Sequence, residues 1–485
     1  MVVRLYAGAG SKMTRKDFIG GLALGAAGAA IAAPAAEAEG LAVRPAISPD
    51  ACEFDVVVVG GSCTGVFAAI RAAEAGARVA LVEMAGGFGG TATQGLVPIW
   101  HSLYSTDGKT KIIKGLTDEV ERELVRRGEA RLERPDNFAR GAVINVAGLQ
   151  ILLDECVMRQ KGITPFLHAR LAAVESDRPG HVTAAVVADK AGLRRIRGKF
   201  FIDASGDADL CRFAGLPTWK LPKDMMQAHT LCAILSGYDA IRAKYPKFSF
   251  GEIMKPEYGA GLKHMFGWGA DVIGAKGLFF HAYTRVAGSD PSIPEDLTRI
   301  EIEGRAQLRR IVDAVNRNFP MPDGGGLAIV ALAAHAGLRD SCHIDSLYRT
   351  TTDDILFGRR FDDVIARGSY RVDIHEGTGI TFRYLDGTFE RTFSDEKGHH
   401  YEKGRWREKS DDLPTWYEIP YRSIVPKGSE NVLAPGRILD CERDAHGACR
   451  VMVNCNQMGE AAGRAAANAL AKNIPAANAY VSLSC

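Results

Sequence analysis

Hydrophobic patterning over residues 54–83 predicts a strand, a helix and a second strand in close succession. The first apolar run is short and rich in valine, which is typical of a buried parallel strand. The alanine-rich residues 66–75 are predicted to form a helix, and Gly76 is well placed to end it. A second apolar run over residues 78–82 stops at Glu83. This order predicts one βαβ unit.

Periodic segments continue along the rest of the chain. Helical periodicity is found at residues 112–127, 147–161, 294–319 and 454–471. Short alternating runs predict a β-meander with strands at residues 164–168, 171–175, 181–189 and 194–198. Buried strands that end in polar or glycine-containing turns are predicted at residues 199–203 and 431–439, and residues 386–412 are predicted to form an exposed loop or hairpin.

The distribution of these patterns predicts the domain organisation. Residues 221–415 hold most of the aromatic residues and histidines but few long periodic segments. We interpret them as an α+β substrate or cap domain inserted into a nucleotide-binding domain formed by residues 50–220 and 416–485. The predicted fold class is therefore α/β, with a Rossmann-like domain built from a three-layer parallel sheet and a β-meander.

The turn at residues 60–65, Gly-Gly-Ser-Cys-Thr-Gly, lies between the first strand and its helix. Gly60 permits a tight turn, and Gly65 lets the helix pack closely on the strand. The helix N-terminus offers N–H groups and partial positive charge to a pyrophosphate. Glu83 can accept hydrogen bonds from ribose hydroxyls. Ser62 stands where the usual G-x-G-x-x-G pattern has its middle glycine. The segment predicts a dinucleotide site.

Composition narrows the class of protein. The chain has 485 residues, of which 46% are hydrophobic and 24% charged, as in an ordinary soluble globular protein. A formal net charge of +2 argues against nucleic acid as a partner. The 10 cysteines are scattered singly, without a C-x-x-C pair or a Cys/His set at ligand spacing. Neither zinc nor an iron–sulfur cluster is therefore expected, and no metal site is predicted.

Residues 1–40 have the layout of an export signal. Lys12, Arg15 and Lys16 precede a weakly apolar, glycine- and alanine-rich stretch, and A-x-A sites follow. Residues 14–19 resemble the twin-arginine consensus, with Lys16 in place of the second arginine. We expect a periplasmic or extracytoplasmic protein without a membrane span in its mature form. A short membrane anchor or a disordered tail is the alternative.

Three later segments have the character of ligand-binding turns. The glycine-rich residues 84–95 directly follow the second strand and lead into a buried apolar run that ends at His101. Residues 203–209 form a polar turn after a buried strand, although, taken alone, its aspartates are better interpreted as plain turn residues. Residues 440–451 form a dense polar patch before the last long helix, whose N-terminus offers a second region of positive potential.

Together, the glycine turn, GGFGGTATQG, IDASGDADL and APGR…AHGACRVM…MGEAAGRAA resemble an FAD-dependent oxidoreductase family of the glutathione-reductase-like class. VVVGGSCTGVFAA, LVPIWHSLY and RRFDDVIARGSYRVDIH are similar to an exported bacterial subgroup. The resemblance implies bound FAD, with Glu83 on the adenosine ribose and the last helix at the flavin pyrimidine end. The predicted FAD-contacting residues are Gly60, Gly61, Ser62, Cys63, Thr64, Gly65, Glu83, Gly89, Gly90, Thr91, Asp203, Gly206, Asp207 and Gly436.

The chain shows one dinucleotide motif, and a second glycine motif for NAD(P)H is absent from the sequence. A reductase fed by a nicotinamide cofactor is therefore not favoured. The electron acceptor is left open between a quinone, a small electron carrier and oxygen.

Hydride removal from an alcohol requires a base, for which His101 and His446 are the candidates. For His101, a purely structural histidine is an equal alternative. Arg450 is predicted to orient the substrate by bidentate contact. Cys63 and Cys449 are interpreted as structural, because no close redox pair is visible in the sequence.

The predicted function is hydride transfer between a small polar organic substrate, such as a sugar or hydroxy acid, and flavin N5. The enzyme alternative is reduction of an activated C=C bond, which Arg339, Arg371 and Arg450 would make possible. The alternative outside enzymes is an FAD-binding scaffold that no longer turns over.

Overall fold

A computed structural model describes residues 47–133, 141–254, 257, 259, 261, 262, 264 and 266–482 of the chain. These residues belong to the compact unit Ala46–Cys485. The export signal predicted over residues 1–40 lies outside the described residues.

The strands of the described residues alternate with helices in the first third of the chain and dominate its middle. They are β1 (Ile47–Val59), β2 (Val79–Val82), β3 (Ile99–Trp100), β4 (Ala130–Leu132), β5 (Ala142–Ile144), β6 (Ile163–Phe166), β7 (Arg170–Arg178), β8 (His181–Asp189), β9 (Gly192–Asp203), β10 (Thr218–Lys220), β11 (Ala233–Ser236), β12 (Trp268–Asp271), β13 (Leu278–Ala282), β14 (Ala328–Leu332), β15 (Cys342–Ile344), β16 (Val364–Gly368), β17 (Val372–His375), β18 (Gly379–Arg383), β19 (Thr388–Asp395), β20 (Gly398–Arg405), β21 (Tyr417–Pro420) and β22 (Val432–Leu433).

The five longest α-helices match the periodic segments of the sequence to within a few residues, and the others are only five to seven residues long. The α-helices are α1 (Cys63–Glu74), α2 (Leu116–Arg126), α3 (Val146–Arg159), α4 (Asp209–Phe213), α5 (Tyr238–Lys244), α6 (Phe250–Met254), α7 (Pro294–Asn318), α8 (Thr352–Leu356), α9 (Arg443–Cys449) and α10 (Met452–Lys472). Among the described residues, no helix is long and apolar enough to cross a membrane.

The central sheet has the strand order β6-β2-β1-β9-β8-β7, and β22 also pairs with β9. Strands β6, β2, β1, β9 and β22 run parallel, whereas β7, β8 and β9 form an antiparallel meander. The predicted α/β fold with a parallel sheet and a meander is thus confirmed, and the two parts share the long strand β9.

Two details of the predicted meander are wrong. The run at residues 164–168 falls in β6, which pairs in parallel with β2 instead of joining the meander. The runs at residues 194–198 and 199–203 are one continuous strand, β9. Alternation along a strand reports which faces are buried and carries no information about the partner strand.

The last four residues of strand β1, Val56 to Val59, are all apolar because both faces of the strand are covered there. Val56 and Val58 pack in the core shared with α1, α3 and α10, whereas Val57 and Val59 pack in the core shared with the meander. This two-sided burial explains why the sequence of the strand shows a continuous valine run instead of polar alternation.

Helices α1 and α10 lie in the same layer and approach each other closely. A β-carbon added at Gly459 would lie 2.1 Å from the carbonyl oxygen of Thr64, and one added at Gly463 would lie 2.2 Å from that of Ala68. Only glycine permits this contact, which brings the N-terminal parts of the two helices together.

The middle of the chain carries its own sheets. Strands β12-β13-β11-β14 form one sheet, whose core is shared with α7, and β17-β18-β19-β20 form another. Residues 386–412 contain the antiparallel pair β19 and β20, so the hairpin alternative is confirmed. Smaller sheets pair β10 with β15, β16 with β21, and β5 with both β3 and β4. The domain boundaries at 220/221 and 415/416 stay predictions.

Candidate active site

The turn at residues 60–65 brings the end of β1 directly against the start of α1. Gly60 has a φ of 106°, and a β-carbon there would lie 2.2 Å from the carbonyl oxygen of Ala204. A β-carbon at Gly65 would lie 1.8 Å from the carbonyl oxygen of Gly60. Helix α1 starts after Ser62 without a side-chain cap and without an acidic residue in its first turn. The bare N-terminus therefore fits an anionic pyrophosphate.

The glycine-rich loop at residues 84–95 lies against this turn. The amide of Gly89 donates to the carbonyl oxygen of Gly61 at 2.9 Å, and Gly89 forms a parallel bridge with Ser62. A β-carbon at Gly90 would lie 2.9 Å from Cβ of Ser62. Ser62 is thus accommodated because the facing residue is glycine. Thr91 is exposed in the short 3₁₀ turn Gly90–Ala92.

Glu83 lies at the end of β2 and is 8% exposed. Its Oε2 accepts a hydrogen bond of 2.6 Å from the amide of Gly61, and its Oε1 accepts one of 2.7 Å from the amide of Ala85. These contacts fix the carboxylate beside the glycine turn, where a ribose-binding acid of a dinucleotide site belongs.

The two aspartates of the turn after β9 have different surroundings. Asp203 is fully buried and accepts hydrogen bonds from Ser205 and from the amide of Cys211, so it builds the turn itself. Burial raises the pKa of its carboxyl group. Asp207 instead accepts from Arg437 Nη2 at 2.8 Å and from the Ser341 hydroxyl at 2.6 Å.

Two further predicted glycines complete this side of the site. Gly206 has a φ of 84°, and a β-carbon there would lie 3.1 Å from Arg437 Nη2. Gly436 has a φ of 100° and approaches the side chain of Thr64 in the first turn of α1. The structure thus brings the predicted glycines at positions 60, 65, 89, 90 and 436 around one helix N-terminus, an arrangement that fits FAD.

The predicted polar patch at residues 440–451 forms α9, and most of it is buried. Ala445, His446, Gly447, Ala448 and Cys449 are all buried. The polar residues of this stretch contact other polar groups of the interior, which local composition cannot reveal.

Helix α9 packs on strand β17 and places Arg450 beside Asp373. A β-carbon at Gly447 would lie 2.7 Å from the carbonyl oxygen of Asp373. Arg450 follows α9 and is separated by Val451 from α10, whose N-terminus also lacks a side-chain cap and an acidic residue. Its Nη2 lies 3.5 Å from Asp373 Oδ2 and 3.1 Å from Gln227 Oε1.

Asp373 is 4% exposed and is the centre of a hydrogen-bonded group. The hydroxyl of Tyr370 donates to Asp373 Oδ2 at 2.9 Å, and Nε2 of His375 forms a hydrogen bond of 3.0 Å with the same oxygen. Nδ1 of His375 in turn contacts the guanidinium of Arg285. Since Nδ1 accepts from this donor, Nε2 carries the proton of the neutral ring.

Positive charge dominates around Asp373. Arg285, Arg339, Arg371 and Arg450, hereafter the arginine cluster, all interact electrostatically with this one carboxylate. Burial, reinforced by Arg339, holds the pKa of Arg285 well below its usual value. Burial, reinforced by Arg450, lowers the pKa of Arg339 to about 10.

Several polar atoms of this region lack a partner. Among the described residues, no hydrogen-bond partner is found for the buried atoms Arg285 Nε, Arg450 Nε and Gln227 Nε2. Buried donors without acceptors are costly, as are buried cations in excess of carboxylates. An anionic ligand would provide acceptors for these donors and would balance the excess positive charge.

His101 lies at the edge of the same group. Its ring centroid is 5.3 Å from that of Tyr370, and its Nδ1 is buried without a hydrogen-bond partner in the described part of the chain. Burial, with a contribution from Arg371, lowers the pKa of His101 to about 4. The imidazole is therefore neutral at physiological pH and has a lone pair available to accept a proton.

His446 lies one helical turn before Arg450, in a different set of contacts. It is 1% exposed, its Nε2 lies 3.1 Å from the carbonyl oxygen of Arg437, and its ring meets that of His343 edge-on at 4.6 Å. Burial holds the pKa of His446 well below its usual value. The structure thus brings His101 and Arg450 to the group around Asp373, while His446 packs against His343.

Sequence reasoning missed the residues that hold this group together, Gln227, Arg285, Tyr370, Asp373 and His375. Tyr370, Asp373 and His375 belong to the stretch RRFDDVIARGSYRVDIH, which the family resemblance had drawn attention to without assigning roles. For Gln227 and Arg285 the sequence offers no local signal.

The two cysteines predicted to be structural have unreactive surroundings. Burial raises the pKa of Cys63 to about 12, and burial also raises that of Cys449 well above its usual value. Both thiols are free and buried. Such thiols stay protonated and are poor nucleophiles.

Comparison with known proteins gives one match across nearly the whole described chain. A family model described as FAD dependent oxidoreductase matches residues 55–482. No curated protein matches the chain.

Solved structures show distant similarity. A geranylgeranyl bacteriochlorophyll reductase-like protein from Thermoplasma acidophilum has 13% identity and a TM-score of 0.43, with 87% of this chain and 80% of that chain covered. PqsL from P. aeruginosa, in complex with 2-aminobenzoylacetate, has 13% identity and a TM-score of 0.39, with 88% and 90% covered. The p-nitrophenol 4-monooxygenase PnpA from Pseudomonas putida DLL-E4 has 14% identity and a TM-score of 0.35, with 61% and 70% covered.

Proposed function

Because the chain belongs to the FAD-dependent oxidoreductase family, we propose that it is a dehydrogenase that oxidises the alcohol carbon of a small hydroxy acid. FAD is the cofactor of this family and supplies, when bound, a two-electron acceptor for the hydride. The observation that carries the proposal is the arginine cluster, in which four arginines, one buried and three partly buried, face one carboxylate beside the N-terminus of α10.

The substrate carboxylate binds in the arginine cluster. Its two oxygens match the planar fork of a guanidinium, which makes Arg450 the anchor. Nε of Arg450 is buried without a partner among the described residues, whereas its Nη2 is held by Gln227 and Asp373. A hydrogen bond from Arg450 Nε to the substrate carboxylate would satisfy this donor, and the negative charge would offset the repulsion between Arg450 and Arg285.

His101 acts as the general base. As the hydride leaves the alcohol carbon, the hydroxyl proton passes to Nδ1 of His101, and a carbonyl group remains on the product. The neutral state of the ring, and an Nδ1 atom without a hydrogen-bond partner among the described residues, support this role. Tyr370 packs against the ring and restricts its orientation.

The glycine turn and the carboxylate of Glu83 would hold the cofactor. The N–H groups at the start of α1 offer donors to the pyrophosphate, and Glu83 offers acceptors to the adenosine ribose. The bare N-terminus of α10 would favour negative charge at the flavin pyrimidine ring.

Reduction of an activated C=C bond is a second candidate. A carboxylate next to the double bond would bind the same arginine cluster. The lowered pKa of Arg339, about 10, makes this guanidinium a stronger acid than usual, as protonation of a reduced carbon requires.

Anaerobic flavin spectra distinguish the candidates. Hydroxy acids, matched alcohols without a carboxylate, and sugars are each added to the purified holoenzyme. We expect bleaching of the oxidised flavin by a hydroxy acid and little by its uncharged analogue. Bleaching by sugars alone would reject the proposed substrate class. Oxidation of pre-reduced flavin by enoates alone would favour the reductase, and flavin that responds to none would indicate an inactive scaffold.

A pair of arginine variants tests the anchor. We expect Arg450→Met to slow bleaching by the hydroxy acid by about 10- to 100-fold, the effect of losing a charge-assisted hydrogen bond. The matched control is Arg422→Met, because Arg422 forms a half-exposed ion pair with Asp363. Equal rates in Arg450→Met and the wild type would contradict the role of Arg450.

We also propose that residues 1–40 direct export by the twin-arginine route. Arg15, Lys16 and the weakly apolar stretch after them support this proposal. A reporter fused to residues 1–45 should reach the periplasm in a bacterial host, and Arg15→Gln should retain it in the cytoplasm. Retention of the unmodified fusion would overturn the proposal.

A further inference from the structure

We propose that Asp340, His343 and His446 bind a divalent transition-metal ion, for which Zn²⁺ is the probe. Each side chain offers one ligand atom, and these atoms lie within 4.8 Å of one another. All three residues are at most 1% exposed. Ligand atoms of tetrahedral zinc lie roughly 3.4 Å apart, so the cluster would need to contract by about 1.4 Å at most.

The backbone fixes which ring nitrogens carry protons. Nδ1 of His343 lies 3.1 Å from the carbonyl oxygen of Leu439, and Nε2 of His446 lies 3.1 Å from that of Arg437. A carbonyl oxygen can only accept, so these two nitrogens donate. Nε2 of His343 and Nδ1 of His446 are then left with lone pairs. Donation of the second ring N–H to a backbone carbonyl is the usual support of a metal-binding histidine.

One of these lone pairs faces a buried carboxylate, and the other lacks a partner among the described residues. Nε2 of His343 lies 3.0 Å from Asp340 Oδ1. Nδ1 of His446 is buried without a hydrogen-bond partner among the described residues. A proton between His343 and Asp340 would satisfy only that pair and would leave His446 Nδ1 without a partner. A divalent cation would satisfy all three ligand atoms and would neutralise the carboxylate.

Neighbouring groups hold the ligands in place. The indole of Trp219 stacks on the ring of His343 at 4.8 Å, and its Nε1 donates to Asp440 Oδ1 at 3.0 Å. Two imidazoles and one carboxylate form a mixed N/O set that suits zinc and its first-row neighbours. The full burial of the set makes the ion a structural link between β15 and α9. His446 then serves as a ligand, which agrees with His101 as the base.

The site differs from the sequence expectation of no metal, and the reason is distance along the chain. Asp340 and His343 are three residues apart, but His446 lies more than 100 positions later. No local spacing pattern joins them, and only the packing of α9 brings the third ligand into place.

Zinc binding by the full-length, untagged holoenzyme tests the proposal. The protein is treated with a chelator and titrated with Zn²⁺ in competition with a metal-binding dye. We expect one tightly bound ion per chain in the wild type. His343→Gln and His446→Gln should bind at least about 100-fold more weakly, since even loss of a partner outside the ligand shell costs roughly 10- to 100-fold.

The matched control is His400→Gln. His400 forms a similar pair with Asp395, at 2.8 Å, but is partly exposed, and no third ligand residue joins the pair in the described part of the chain. Its affinity for zinc should equal that of the wild type. Absence of micromolar zinc binding by the wild type, or equal affinity in all variants, would overturn the proposal.

X-ray absorption at the zinc edge of the wild type provides a measurement that does not depend on the folding of any variant. Two imidazole ligands and oxygen donors are expected. A shell that contains sulfur, or that lacks imidazole, would overturn the assignment of the site. Neither experiment involves substrate turnover, so its outcome is independent of the proposed hydroxy-acid oxidation.

Discussion

The close packing of α1 against the glycine turn depends on the absence of single side-chain atoms. The hydrogen of Gly65 occupies a position where a β-carbon would lie 1.8 Å from the carbonyl oxygen of Gly60. Any side chain at position 65 must therefore push α1 away from β1. The same displacement would move the N–H groups that are proposed to bind the pyrophosphate.

Gly65→Ala should lower the affinity for FAD by at least about tenfold, which corresponds to 1.4 kcal/mol. The ratio of flavin to protein absorbance after purification, followed by titration with FAD, measures the loss. Gly325→Ala is the control, because Gly325 has a φ of −73° and its nearest neighbouring atom lies 3.4 Å from the added carbon. Full flavin content in Gly65→Ala would contradict the proposed role of the turn.

The role of general base is proposed for a single residue, His101. His101→Gln should lower kcat by roughly 100- to 10,000-fold, the usual contribution of a general base. FAD binding should be unchanged, because the prediction concerns proton transfer alone. A kcat within a few-fold of the wild type would leave His101 with the structural role that the sequence offered as its alternative.

The pH profile gives an independent test of the same residue. Burial lowers the pKa of His101 to about 4, and only the neutral ring can accept a proton. Activity should therefore fall as the pH drops through about 4, instead of near the ordinary histidine value of about 6.5. An acidic limb of kcat/KM near pH 6.5 would show that another group is the base.

At the scale of elements, the helix pair α1 and α10 shows how the two parts of the nucleotide-binding sequence are joined. Gly459 and Gly463 permit close contact between the helices. Glu460, which follows Gly459 in the sequence, pairs with Arg71 of α1 at 2.8 Å. Glu460 also accepts a hydrogen bond of 3.0 Å from the amide of Leu116. Burial raises the pKa of Glu460 despite the opposing effect of Arg71.

Glu460→Gln should lower the free energy of unfolding by about 1–3 kcal/mol. The change leaves the largely buried Arg71 without a charged partner on α10, although Glu74 still pairs with it. Urea denaturation measures the effect as a shift of the midpoint. Glu123→Gln removes a partly exposed carboxylate from a pair with the exposed Arg126 and should leave the midpoint nearly unchanged. Equal shifts in the two variants would contradict the importance of burial.

At the scale of the whole molecule, buried neutral histidines couple stability to pH. Burial lowers the pKa of His101 to about 4 and those of His264 and His281 to about 3. In the unfolded chain these rings titrate near 6.5. Between these pH values the unfolded state binds more protons than the folded state, so stability falls as the pH is lowered.

The melting temperature should therefore be at least about 5 °C lower at pH 5 than at pH 7.5. His281 offers a direct check, because both of its ring nitrogens lack hydrogen-bond partners among the described residues and its ring packs on Phe250 and Tyr283. His281→Phe should make the pH dependence shallower. A wild-type melting temperature that does not change over this range would contradict the expectation.

The sequence by itself determined the βαβ unit and the main helices. These elements can be predicted because they depend on short-range sterics and on which faces are buried. Residues close together in the sequence show both, as valine runs, as helical periodicity and as the positions of Gly60, Gly65 and Glu83. The family resemblance extended this to FAD, and the match over residues 55–482 confirms the family.

Only the tertiary structure decided which segments meet. Periodicity shows that residues 163–166 are half-buried but does not show that β2 is their partner. The arginine cluster draws on residues 285, 339, 371 and 450, and the proposed metal ligands on residues 340, 343 and 446. Such groups are brought together by packing over more than 100 residues of chain, and no local pattern records a contact that depends on the position of another element.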